Sequence, residues 1–76
     1  MKCGYYRHYK NKLYKVLGTV IHSETLEEMV LYQALYGDQK QWVRPKKMFL
    51  EHVTIASTVQ PRFTYLGELD PDLSNL

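Results

Sequence analysis

Aromatic rings alternate with arginines in two short stretches of the chain. Tyr5, Arg7 and Tyr9 share one phase of a period-two pattern near the N-terminus, and Trp42 and Arg44 share one phase further on. Rings of this kind stack on nucleobases or other flat ligands, and a guanidinium offers a planar fork to phosphate or carboxylate. Arg44-Pro45 and Pro61-Arg62 set two forked cations where strands begin or end. Together they can clamp one anion, or each can pair with Glu24, Glu27 or Glu28. A structural alternative stands beside this one: Trp42 as core, and the arginines laid on tyrosines as cation–π pairs.

His22 and Glu24, with His8, form the one cluster suited to proton transfer or metal binding. Imidazole exchanges a proton near neutrality and a carboxylate can orient it. The competing reading is a turn in which Ser23 and Thr25 bond the backbone and Glu24 pairs with a nearby base. Cys3 is the single cysteine, with no base beside it to activate the thiol and no mate for an internal disulfide. No Cys/His pair stands at structural zinc spacing, and neither a metal nor a cofactor is expected.

Short strands are the elements that must position these groups. Residues 4 to 9, GYYRHY, are rich in β-favouring aromatics, and Lys10-Asn11-Lys12 divides them from LYKVLGTVIH, with Asn11 suited to the tip of a hairpin. Gly18 falls mid-strand, which marks a bulge or bend. Residues 23 to 36 pull two ways. Thr25 and Glu28 resemble a helix capping box, yet Val30, Tyr32, Ala34 and Tyr36 form one strand phase and Gly37-Asp38-Gln39-Lys40 reads as a hairpin loop. The reading adopted is a strand over 28 to 36 paired with 41 to 44. Pro45 then ends that strand and opens one or two helical turns in KKMFLEHV. Residues 53 to 60 extend as strand or loop, and Pro61 opens a last strand through Phe63 and Tyr65. Val16, Val20, Val30, Val43, Phe49 and Phe63 are the expected core. About five antiparallel strands with a short helical turn before the last one predict a mainly β fold, a small SH3-like barrel.

The chain has 76 residues, enough for one small domain. Hydrophobic residues at 45% and charged residues at 24% exclude a disordered chain over most of its length. Residues 1 to 66 carry ten bases against five acids and so hold +5, which favours anionic partners. Residues 67 to 76 carry Glu68, Asp70 and Asp72 without a base and are expected to be a mobile tail. No apolar run reaches signal-peptide or membrane-span length, so a cytoplasmic protein without membrane attachment is expected.

Gly4-x-Tyr6-x-His8-Tyr9-Lys10, Tyr14-x-Val16, His22-Ser23-Glu24-Thr25, Val30-x-Tyr32, Tyr36-Gly37, Trp42-Val43-Arg44-Pro45 and Arg62-Phe63 resemble, in this order, the DUF1653 family of small bacterial proteins. The resemblance covers about residues 4 to 66, with Asn11 standing where glycine is expected. It implies an SH3-like barrel and no particular activity. The function expected from the residues is a non-catalytic binding module. Tyr5, Arg7, His22, Glu24, Trp42, Arg44 and Arg62 are its candidate binding residues, and nucleic acid or a nucleotide is the partner. A peptide-binding interaction module is the alternative, and a small enzyme using His22 and Glu24 is the third reading.

Overall fold

The computed structural model describes residues 1–71. Seven strands and one short helix follow in order: β1 (Gly4–His8), β2 (Leu13–Ile21), β3 (Glu28–Ala34), β4 (Gln41–Pro45), α1 (Lys46–Phe49), β5 (His52–Ile55), β6 (Thr58–Pro61) and β7 (Phe63–Gly67). Five of the strands form one antiparallel sheet in the order β4-β3-β2-β1-β7, while β5 and β6 pair only with each other. The fold is mainly β, as the strand pattern predicts. Asn11 holds a left-handed φ of 68° at the β1–β2 turn, the conformation that asparagine tolerates.

Register sorts the side chains, because residues opposite each other on neighbouring strands project to the same face. Tyr6, Tyr14 and Ala34 form one row on the inner face, and Val16, Tyr32 and Trp42 form the next. Thr19, Val30 and Arg44 form a third, and His8 lies opposite Phe63. The outer face carries the row Tyr5, Lys15, Gln33 and Gln41.

The core lies on the inner face and consists of Tyr6, Val16, Val30, Tyr32, Phe49 and Phe63, with Tyr14 and Tyr65 packed against it. Phe49 closes it from above. Its ring stacks on Phe63 at 4.0 Å and meets Tyr6 and Tyr32 edge-on, each at 5.4 Å.

Three expectations are corrected. The sheet does not close into a barrel: β4 and β7 remain edges, and α1 covers the inner face that closure would have buried. The short helix comes before the last strand as expected, and the strands number seven rather than about five because the segment read as strand or loop folds into the β5–β6 hairpin. Val20 and Val43 are surface residues, 42% and 54% exposed. Val20 lies past the bulge at Gly18, at the end of β2 where Thr19 and Ile21 are exposed as well. The β2–β3 register slips between Val16 and Gly18, and beyond it the side-chain phase is inverted, so Thr19 rather than Val20 lies opposite Val30. Val43 lies opposite Leu31 on the outer face. Of the expected acidic tail, Gly67 still pairs with Tyr5, and 72–76 lie outside the described residues.

Candidate functional site

Strand β4 places Trp42 and Arg44 on the inner face at the free edge of the sheet. Trp42 is half-exposed and meets no other ring among the described residues, unlike most of the inner-face aromatics. Between it and Tyr36 lies a hollow of about 170 Å³, lined by Ala34, Asp38, Gln39 and Lys40. The β3–β4 loop shapes its rim. Gln39 and Gly37 take left-handed φ values of 54° and 58°, and the Gln33 side-chain amide donates to the Gln39 carbonyl at 3.0 Å. Tyr36 is held by a hydroxyl–hydroxyl hydrogen bond to Tyr14, and the Lys12 ammonium lies 5.1 Å above its ring. Burial, followed by that hydrogen bond, raises the Tyr14 pKa, so its phenol stays neutral.

Beside the hollow the inner face is positive. The Arg44 guanidinium lies 5.7 Å above the Phe63 ring, and the His8 ring meets Phe63 at 4.9 Å and Tyr9 at 4.4 Å. Burial lowers the His8 pKa below its ordinary 6.5, and the charges of Arg44, Arg62 and Lys10 lower it further. Arg62 follows β6, and its Nη2 lies 3.4 Å from a Glu51 carboxylate oxygen, while its Nε is buried without a hydrogen-bond partner.

The other predicted site residues lie elsewhere. Tyr5 and Arg7 are on the outer face, where the Lys15 ammonium sits 5.5 Å above Tyr5, so they share no surface with Trp42 and Arg44. His22 and Glu24 belong to the turn between β2 and β3. There His22 Nδ1 accepts hydrogen bonds from the backbone N–H groups of Glu24 and Thr25 at 3.2 and 3.3 Å, and Thr25 Oγ1 accepts one from Glu27. His22 Nδ1 also lies 3.5 Å from Glu24 Oε2, which accepts a hydrogen bond from Ser23 Oγ at 3.2 Å, so the candidate pair is brought together within an exposed, self-bonded turn. It lies beyond the pair Ile21–Glu28, four residues along β3 from Tyr32 and its neighbour Trp42, or about 13 Å at ~3.3 Å per residue. No group of three His, Cys, Asp or Glu able to hold a metal occurs among the described residues.

Tyr36, Lys40 and His8 enter the site without having been singled out for it. Tyr36-Gly37 at the base of a hairpin loop was the available signal, since a ring there must project beside the loop. A larger cleft of about 620 Å³ opens between β1, β2 and β7, lined by Lys2, Cys3, Lys15, Tyr65 and Glu68.

Comparison with known proteins places this architecture. The model of the family described as "Protein of unknown function (DUF1653)" matches residues 4–65, most of the chain. The chain belongs to the DUF1653 family. A crystal structure of a DUF1653 protein from Bordetella bronchiseptica superposes with a TM-score of 0.85 at 36% identity, covering 93% of this chain and 94% of that one. The open sheet with its helix and outlying hairpin is therefore similar to a DUF1653 fold seen by experiment. None of the curated proteins matches the chain. No helix among the described residues is long and apolar enough to cross a membrane.

Proposed function

We propose that this DUF1653 protein is a cytoplasmic, non-catalytic binding module. Its inner face takes an anionic ligand with a flat ring, either single-stranded nucleic acid or a nucleotide. One observation carries the reading: Trp42 stands half-exposed and unstacked in the same strand phase as Arg44, at the mouth of a hollow flanked by Tyr36 and Lys40. A base laid against Trp42 leaves its phosphate within reach of Lys40 and Arg44. The charge of residues 1 to 66, +5 within a full chain of +2, favours such a ligand. Single strands are preferred to duplex, because an exposed ring stacks only on an unpaired base.

Titration with a labelled single-stranded oligonucleotide, followed by the anisotropy of the label, tests this. Trp42→Ala is expected to lose ~1–3 kcal/mol of affinity, and Arg44→Gln to weaken binding of every sequence and flatten its salt dependence. Absence of binding at low salt overturns the nucleic-acid reading and leaves peptide docking ahead.

A further inference from the structure

Strand β4 ends the sheet with a regular, uncovered edge. The Ala34 N–H donates to the Lys40 carbonyl at 3.0 Å, which makes that pair hydrogen-bonded and, by alternation, Tyr32–Trp42 and Val30–Arg44 as well. Gln41, Val43 and Pro45 therefore turn their main-chain groups away from β3. The opposite edge differs. Along β7 the pairing with β1 is broken by a bulge between Tyr5 and Tyr6, and Gly67 has a φ of 119°, features that disfavour further strand addition.

We propose that the β4 edge pairs with β4 of a second copy of this chain, antiparallel, about a two-fold axis at Val43. The strand is complementary to itself in that register. Each Val43 N–H donates to the Val43 carbonyl of the other copy, and each Gln41 N–H to a Pro45 carbonyl. Pro45 has no N–H to give, and its place at the ladder's end means that no interior bond is lost. On the inner face Trp42 lies opposite Arg44 of the second copy, twice over. This offers the unstacked indole a cation–π partner, for which Arg44 must leave its place over Phe63 of its own chain. On the outer face the two Val43 side chains, each 54% exposed, meet on the axis.

Charge sets the conditions. Lys40 faces Lys46 of the second copy, and although Glu28 lies 3.3 Å from Lys46 within each chain, a residual repulsion remains that salt screens. Five residues of strand edge bury less than the ~1,200 Å² of a stable interface, so the pairing is weak and concentration-dependent. When formed, it sets the two inner faces side by side and brings the second copy's Arg44 to each Trp42. The pairing does not rest on the ligand proposed above, and salt separates the two: it strengthens self-association and weakens nucleic-acid binding.

Sedimentation equilibrium from about 20 µM to about 1 mM, in about 0.05 and about 0.5 M salt, decides the matter. The weight-average mass is expected to climb from 9.0 kDa toward twice that value, further at high salt. Val43→Pro removes a donor that the monomer does not use, and it should stay monomeric with an unchanged circular dichroism spectrum. Val43→Lys sets two like charges on the axis and gives the same result should proline disturb the strand. A wild-type monomer at the highest concentration and salt overturns the proposal, and so does a Val43→Lys protein that still associates.

Discussion

Strands β2 and β3 and strands β5 and β6 each form an antiparallel hairpin, and the two pairs differ in what lies against them. The first is flanked by β1 and β4 and puts Val16, Val30 and Tyr32 into the core under Phe49. The second is a sheet of its own, with Val59 65% and Ile55 45% exposed. Its tip, Ala56-Ser57, holds left-handed φ values of 49° and 66°, where such turns favour Asn-Gly. Both hairpins use β-branched residues, so strand propensity does not separate them. Burial does, since a two-stranded hairpin alone is marginal in water.

The largest expected effect tests whether burial is the whole difference. Phe49→Ala should cost ~3–5 kcal/mol and unfold much of the population at 37 °C, whereas Val59→Ala should shift stability by less than about 0.5 kcal/mol. Urea denaturation of the two variants gives both numbers, and equal losses would break the comparison. Gly4→Ala comes next. A Cβ there would lie 2.6 Å from the Gly67 carbonyl oxygen at a φ of +132°, so a loss of roughly 3 kcal/mol is expected in the same assay.

The third effect sharpens the contrast from the other side. Replacing Ala56-Ser57 with Asn-Gly relieves the tip and should slow amide exchange in β5 and β6 by about fivefold, or ~1 kcal/mol, leaving β3 amides unchanged. The smallest concerns the packed sheet's pH response. His8 has a folded pKa below its unfolded value of 6.5, so its contribution is present above that value and lost as the pH falls through the folded pKa. Melting temperature should decline on acidification below 6.5 more steeply for the wild type than for His8→Gln.

Much of the packed sheet is legible in the sequence, because its determinants are local. The Val30-Tyr32-Ala34 phase, the loop after it, Asn11, Pro45 and the Gly18 bulge all announce themselves within a few residues. Phe49 and Phe63 are core in both accounts. What escapes is long-range. That Tyr5 and Arg7 face away from Trp42 and Arg44 depends on the registers of three successive strand pairs, which no single segment encodes. Likewise the open edge depends on where four residues of helix settle. Tyr6 and Tyr32 join the buried core although neither is among the core residues expected from the sequence. Burial raises the Tyr6 pKa, and its hydroxyl donates to the Lys2 carbonyl at 2.7 Å.

The extra residue in β2 acts on side-chain orientation as a shifted reading frame acts on codons. Upstream of it, even-numbered residues lie on the inner side of the sheet; downstream, odd-numbered ones do, beyond the edge of the core. Losing that residue would remove the bulge and its bend, yet Thr19, Val20 and Ile21 would stay opposite Val30, Met29 and Glu28, because β3 carries no extra residue of its own. Gly18→Ala, by contrast, keeps the count and meets no atom within 4 Å. Among natural variants of this strand, a change of length is accordingly expected at 17–18, where it leaves the later pairs intact, rather than at 19–21, where it would shift them unless the following turn changed too.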